Sequence, residues 1–326
     1  MVDISTTEYD VELIDEKGVR RLINDALLSL EWEEQQDELA QRANIKIANM
    51  VIGSTELFSV AKLCCPILIY AKWNNAPKTL VFEGILWEWQ PVNGTQKELT
   101  LTAYDRLIYL QKSQDYKYYS AGLTTQNIIA DTCYTWDIPL SYNWGQSITH
   151  EKKVFNGAYI SGMIISLLEE VRKKTGVKYV ISWRNNSLQI FDYGTNKDVY
   201  DLGNVQISAM DKLSLNNLVT RVKIIGKADE DGNAPVEAIV EGDTRYGVLQ
   251  TVLQTYESKS VADAMSEADT IIKEQGKPEE QIKYSFPDLP FLRKGDRIKI
   301  TNSYFNVLGV SHKATQKQMA LTLDRV

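Results

Sequence analysis

Histidine and cysteine are what this chain has least of. The two histidines, His150 and His312, lie far apart in sequence, and the three cysteines, Cys64, Cys65 and Cys133, form neither a C-x-x-C nor a Cys/His cluster. Neighbouring Cys64 and Cys65 are poorly placed to bridge each other, and an odd count is not a disulfide framework. Folding in a reduced compartment is the simplest reading. G-x-S-x-G, G-x-x-x-x-G-K, H-E-x-x-H and a G-x-G-x-x-G after a strand are all missing, so no catalytic, cofactor or metal residue is assigned and an enzyme is not expected. Long apolar runs are missing too. Stretches such as Cys64–Ala71 are far too short to span a bilayer. The first residues, MVDISTTEYDVELID, have no basic n-region and no apolar h-region, so a soluble protein made in a cytoplasm, without a signal peptide, is expected.

A basic face is also lacking. Lysine and arginine number 36 against 43 aspartates and glutamates, a net charge of −7. That argues against a sequence-reading nucleic-acid binder. It leaves open a channel through which nucleic acid passes without sticking, because like charge lowers non-specific affinity. The run Arg172-Lys173-Lys174 reads as a solvated helix end favoured by the macrodipole.

What is present is a globular composition over 326 residues, 44% hydrophobic and 24% charged, long enough for two or three domains. The 17 tyrosines and 7 tryptophans favour β-structure. One stretch, Leu99–Tyr119 (LTLTAYDRLIYLQKSQDYKYY), organises the rest. Leu99, Leu101 and Ala103 alternate with Thr100, Thr102 and Tyr104 as in a half-buried strand, and the pattern breaks at Asp105-Arg106. This marks a seam between a strand-rich segment and a mixed one.

Before the seam, strands are expected at Tyr9–Asp15, Leu28–Glu34, Ala43–Ala48, Pro66–Trp73, Thr79–Trp89 and Glu98–Tyr104. Turns fall at Glu16-Lys17-Gly18, Asn74-Asn75 and Asn93-Gly94. Leu22–Leu30 fits either a strand or a helix. After the seam, Thr124 caps a helix with Ile128, Ile129, Cys133 and Trp136 in its stripe, ended by Pro139. A longer helix, Tyr159–Lys174, carries Ile160, Met163, Ile164, Leu167, Leu168 and Val171 at i, i+3, i+4 spacing, with Gly176 beyond. Strands Lys178–Trp183 and Leu188–Tyr193 pair across Arg184-Asn185-Asn186, and Val199–Leu202 follows. Beyond residue 204 strands return at Asn217–Lys227, Pro235–Glu241 and Gly247–Tyr256. Ser260 then caps a helix over Val261–Gln275. Four more strands lie at Ile282–Phe286, Asp296–Thr301, Tyr304–Ser311 and Met319–Leu323. The expected architecture is α+β, mostly β. It has two antiparallel β-barrel domains, 1–104 and 204–326, the second with a helix inserted at about 260–275, flanking an α+β domain at 105–203.

Each chemical constellation has a plainer reading. Cys133 with His150 could form a dyad, but Cys133 sits on an apolar helix stripe where thiols are inert. Glu169 and Glu170 point about 100° apart on a helix and cannot flank one glycosidic bond. Glu83 and Glu88 fall on opposite faces of a strand by parity. The acidic run Glu31–Glu38 reads as a solvated strand edge, because carboxylates at i, i+2, i+3 do not converge without a loop that turns them inward. Trp87, Trp89, Trp136, Trp144 and Trp183 could stack on sugar but are more often core. Trp87 and Trp89 share one strand face, suited to a packed wall or a subunit contact.

Ala103-Tyr104-Asp105, Leu107–Leu110 and Thr124–Ile129 resemble the XkdQ/YqbQ group of tail proteins from phages of Gram-positive bacteria and defective phage-like elements. Gly247-Val248-Leu249-Gln250, Glu257-Ser258, the helix Ala262–Ile272, the segment Pro287–Ile300 with its Lys-Gly-Asp turn, and Val310-Ser311-His312 extend the resemblance. Residues 137–158 have no counterpart in it and read as a strain-specific surface. The resemblance implies a structural baseplate hub of a contractile phage tail, prophage remnant or tail-like bacteriocin. Each chain of a homotrimer would supply two tube-like β-domains and so adapt a hexameric tail tube to a trimeric spike. Partners would be the tube, spike and baseplate wedge proteins, with the genome passing through the lumen without specific binding and no insertion into a membrane. A carbohydrate- or receptor-binding tail module is the alternative.

Overall fold

A computed structural model describes residues 7–36, 38–72, 77–92, 97–143, 145–255 and 260–326, with no account of the side chains at 142 and 143. Trp73, the Asn74-Asn75 and Asn93-Gly94 turns, Trp144, Tyr256 and Glu257-Ser258 lie outside the described residues. The chain divides into two compact units, one comprising the residues up to Ala209 with Lys283–Val326 and the other Met210–Ile282. Residues 105–203 therefore share a unit with residues before and after them.

In the first unit β1 (Glu8–Ile14), β2 (Arg20–Leu22), β3 (Leu27–Glu34) and β4 (Arg42–Ala48) alternate between core and surface. Val11, Leu13, Leu30, Trp32, Ala43, Ile45 and Ile47 point inward. Each buried valine, leucine or isoleucine among them adds about 1.5–3 kcal/mol relative to exposure. The ambiguous Leu22–Leu30 stretch is a single 3-10 turn, Asn24–Ala26, between two strands. The Asn24 side chain accepts the Val11 N–H at 2.8 Å and donates to the Tyr9 carbonyl at 2.9 Å, which ties the turn to β1 and leaves no room for a longer helix. The short β5 (Val51–Ile52) and β6 (Thr55–Glu56), α1 (Leu57–Val60), β7 (Pro66–Lys72), β8 (Thr79–Pro91) and β9 (Glu98–Tyr104) follow.

The mixed segment holds α2 (Ile108–Lys112), β10 (Gln114–Tyr119), α3 (Thr125–Thr135), β11 (Leu140–Asn143), β12 (Lys153–Tyr159), α4 (Ile160–Thr175), β13 (Tyr179–Arg184), β14 (Ser187–Asp192) and β15 (Tyr200–Asp201). Helix α4 buries the six residues named from its period and ends on Gly176 in the left-handed region. The β13–β14 turn puts Asn185 and Asn186 at φ 51° and 55°, the pair of positive angles that a tight hairpin needs. Residues 137–158 are built into the module, with β11 parallel to β14 and β12 antiparallel to β10.

Strand β16 (Ser208–Ser214) leads towards the second unit. There β17 (Arg221–Ile225) pairs antiparallel with β18 (Val236–Glu241) and parallel with β19 (Gln250–Gln254). Helix α5 (Val261–Gln275) starts at a Ser260/Asp263 capping box. Its Ala264 and Ala268 meet Val222 and Ile224 in a core of four fully buried side chains. Strand β20 (Glu279–Pro287) leads back to β21 (Arg297–Ile300), β22 (Ser303–Lys313) and β23 (Gln318–Arg325).

The large sheet runs β16-β20-β23-β22-β3-β4-β9-β8-β7-β1-β2, with β21 on β22 and β15 on β21. The fold is α+β and mostly β, as expected, but the barrels are a correction. Among the described residues neither β-rich segment closes on itself. To close the first, β3 would have to pair with β2. Its free edge is taken by β22 instead, so N-terminal and C-terminal strands join one open sheet. Nor is the β-structure wholly antiparallel, since β17–β19 and β15–β21 are parallel pairs.

Candidate functional site

The join between β3 and β22 sets Val310 opposite Glu34, Ser311 opposite Glu33, His312 opposite Trp32 and Lys313 opposite Glu31. Two buried polar networks grow from it. In β3 the inward phase is Leu30, Trp32, Glu34, so the strand's own alternation drives a carboxylate into the interior.

Glu34 is 3% exposed. Its Oε1 accepts Arg293 Nε–H at 2.9 Å and a second bond from Nη2 of the same guanidinium. Its Oε2 accepts the Lys294 backbone N–H at 2.8 Å. Burial alone would raise this carboxyl. The cations of Arg293, Arg184 and Lys294 overcome that and hold it at about 2. The Lys294 ammonium, itself pushed down by burial, donates to the carbonyls of Gln35 at 3.3 Å and Glu38 at 2.9 Å. Asp296 accepts the Arg293 N–H at 2.8 Å. Between Lys294 and Asp296 lies Gly295 at φ +94°, where a Cβ would also meet Val180 at 2.7 Å. The turn therefore admits only glycine without strain. Asp105, the residue that breaks the β9 pattern, accepts the N–H groups of Gln41 at 3.0 Å and Leu107 at 2.9 Å. Burial outweighs those bonds and lifts its carboxyl to about 7.

The second network joins Asp288, 2% exposed, to His312, 1% exposed. His312 Nδ1 lies 2.6 Å from Asp288 Oδ1, and Nε2 lies 3.0 Å from the Leu292 carbonyl. That carbonyl can only accept, so Nε2 donates to it and Nδ1 is the ring nitrogen that faces Asp288. Tyr9 donates its hydroxyl to the other Asp288 oxygen. Burial, then the Asp288 charge, pushes the Tyr9 phenol up. The His312 ring stacks on Trp32 at 4.6 Å.

Elsewhere the structure separates groups that the sequence sets near each other. Both His150 ring nitrogens are engaged, Nε2 with the Thr125 hydroxyl at 2.8 Å and Nδ1 with Glu170 at 2.9 Å. The Cys133 thiol lies in the core and burial pushes it up to about 12. Glu170 also binds Lys153, while Glu169 pairs with Arg172. In β8 a bulge between Leu86 and Glu88 corrects two readings. It resets the parity that set Glu83 against Glu88, and both are exposed. It also parts Trp87 from Trp89, because Trp87 is the extra residue. Trp89 packs edge-on to Phe58, and Trp87 packs against Tyr104 and Tyr109 in another cluster. Trp136 and Trp183 lie in that same second cluster. Among the described residues no group of three or more His, Cys, Asp or Glu is placed to hold a metal ion.

Among the described residues, shallow cavities open on the first unit. One, of about 290 Å³, is lined by Lys178, Asp192, Asn306 and Asp324 among others. The second, of about 300 Å³, is lined by Arg184, Gln189, Phe191, Thr195 and Asn196.

Pairing alone did not single out Glu34, Arg184, Arg293, Asp288 or Tyr9. The available signal was a glutamate in phase with Leu30 and Trp32. The Lys-Gly-Asp turn and His312 stood out only within longer segments. The Glu34 and Asp288 oxygens are filled by donors from remote segments, and what the two networks do is fix β3, β22, β13 and the 288–296 loop to one another.

The YQBQ-like family matches residues 31–324. An uncharacterized protein of Bacillus subtilis, YqbQ, is 26% identical over 200 residues, which is 60% of this chain and 57% of that relative. The chain thus aligns with little more than half the length of that relative. Among solved structures, the 43 kDa tail protein of prophage MuSo2 from Shewanella oneidensis superposes with a TM-score of 0.70 at 11% identity, covering 98% of both chains. An E. coli component of the type VI secretion system, described as structurally similar to the T4 tail proteins gp27 and gp5, superposes with a TM-score of 0.56 at 12% identity. It covers 92% of this chain and 74% of its own. At such identities what is shared is the fold.

Proposed function

Because the chain belongs to the YQBQ-like family, we propose that it is a structural component of a contractile phage tail or tail-like particle, and within it the baseplate hub. One observation carries the reading: the superposition on a prophage tail protein extends over 98% of both chains, so the whole of this chain, and not one segment of it, has the fold of a tail protein. In this reading the strands of residues 8–104 and those near the C-terminus are two tube-like modules side by side, with the α+β stretch 105–203 decorating them. Three chains then present six such modules, enough to match a hexameric tube above and a threefold spike below. The tube, spike and wedge proteins are its partners, and its role is assembly in the particle, not turnover.

The β3–β22 join supports this. A module pair that must act as one wall segment needs a rigid internal boundary, and paired buried charges give such a boundary one defined register. Open strand edges such as β2, where Leu22 is 51% exposed, offer pairing positions to neighbouring subunits. The carbohydrate-binding alternative is less well supported, because Trp87, Trp89, Trp136 and Trp183 all pack against core clusters.

The test is sedimentation of the chain alone and with recombinant tube and spike proteins, followed by electron microscopy. A threefold ring, formed alone or on contact with those partners, is the expected result. A chain that stays monomeric in their presence, or that binds an isolated glycan instead, overturns the hub.

A further inference from the structure

Arg184 is the cation of the buried network whose hydrogen bonding is least complete. Its Nη2 donates to the Lys294 carbonyl at 2.8 Å, and its Nε reaches the Ser182 hydroxyl at 3.4 Å. Its ion-pair partner, Asp296, stands 3.8 Å away, beyond hydrogen-bond reach, and the other Asp296 oxygen is taken by the Arg293 N–H. Glu34 spends its oxygens on Arg293, Lys294 and Ser182. Among the described residues, Arg184 Nη1 has no hydrogen-bond partner and is not one of the buried unpaired atoms, so it meets solvent. The face of the guanidinium lies over the Phe191 ring at 4.6 Å.

This residue lines the cavity of about 300 Å³. The other polar groups there are engaged. Gln189 Nε2 donates to the Arg184 carbonyl, Thr195 donates to the Asp192 carbonyl, and Asn196 Nδ2 donates to the carbonyls of Asp198 and Arg297. Among the described residues no carboxylate lines the cavity. In a chain of net charge −7 it is a recess with one free guanidinium edge above an aromatic wall. Burial, then the neighbouring Arg293, makes charge on Arg184 unfavourable where it stands, and an anion at the free edge would relieve both.

We propose that the Arg184 recess is a carboxylate-binding site, filled by an aspartate or glutamate side chain of a neighbouring protein chain. The planar guanidinium fork matches a carboxylate, and the Phe191 ring suits the short apolar stem behind it. A single guanidinium edge holds a free ion weakly. It becomes an effective contact when the rest of a partner's surface supplies the remaining binding energy, which is why the occupant is a side chain of another chain and not a metabolite.

The test follows the Arg184 Nε–H and Phe191 ring signals by NMR on the full chain at constant ionic strength. The probes are the peptide Ac-Gly-Glu-Gly-NH2, its glutamine analogue, acetate and phosphate. The expected result is a saturable shift with the glutamate peptide and none with the glutamine one. Thr195→Glu, which sets a carboxylate at the rim without touching the buried network, should weaken the peptide by at least about tenfold, or about 1.4 kcal/mol. Arg184→Lys, read at Phe191, should also weaken it. Absence of saturation with the glutamate peptide overturns the site, as does an unchanged affinity in Thr195→Glu. Acetate or phosphate binding with a micromolar or lower Kd shows that a free ion is held without a partner's surface and overturns the neighbouring-chain occupant.

Discussion

The β3–β22 join and the small sheet of the second unit handle charge in opposite ways. At the join, Glu34, Asp288 and His312 are each 3% exposed or less, and every one is bonded to a residue distant in sequence. In the second unit Arg221 and Glu241 pair across β17 and β18 with half of the carboxylate side chain in water. Its interior is Val222, Ile224, Ala264 and Ala268. An ion pair can be buried only where enough surrounding structure supplies the bonds that replace its water. The extended core of the first unit does that. A single sheet under one helix does not, so its charges stay at the rim and its stability rests on a few apolar contacts and a helix cap.

Glu34→Gln should have the largest effect on that contrast. It removes the nearest counter-charge of Arg293 and Lys294 and should cost about 3–5 kcal/mol in urea unfolding at pH 7. Hydrogen exchange should accelerate in β3 and β22 and not in α5. The same carboxyl predicts an acid transition. Folded Glu34 titrates at about 2 against an ordinary 4.5, so the stability it gives is complete above 4.5 and is lost as pH falls towards 2. Glu34→Gln should lack that slope. Asp288→Asn comes next, at about 1–3 kcal/mol, because an amide cannot accept from both Tyr9 and His312 and leaves one buried group unpaired. Ser260→Ala reverses the contrast. Loss of the capping box should cost about 1 kcal/mol and speed exchange in α5 alone. Equal protection loss in β3 would show that the two units unfold together. Asp105→Asn tests the first unit through its pH dependence. The folded chain keeps the Asp105 proton up to about 7, whereas the unfolded chain releases it near 3.8. The wild type should therefore lose stability as pH rises from 4 to 7 and level off above, and the variant should not.

Much of the fold was legible in local pattern. The alternation of Val11 and Leu13, of Leu30 and Trp32, and of Ile45 and Ile47 marks core-facing strand positions, and the stripe from Ile160 to Val171 marks a helix face. Each depends on period, which a strand or helix imposes on its own residues. The β8 bulge was not legible, since one extra residue leaves no mark in a run such as Ile85-Leu86-Trp87-Glu88-Trp89. Nor was the joined sheet, because the edge that β3 offers could be taken by any strand of compatible face.

The candidate site was legible only in fragments. Glu34 sits in phase with the core, yet nothing nearby says what satisfies it, and Arg293 is 259 residues away. Sequence by itself determined most of the element types, the α+β character and the family, because these follow from periodicity, caps and ordered motifs along the chain; β10, β11, β12 and β16 carried no such pattern. Tertiary structure alone decided that the two β-rich ends share one open sheet, and which charge neutralises which. Both depend on distances between remote segments, and the electrostatics of a buried group are set by whatever the fold brings within a few ångströms of it.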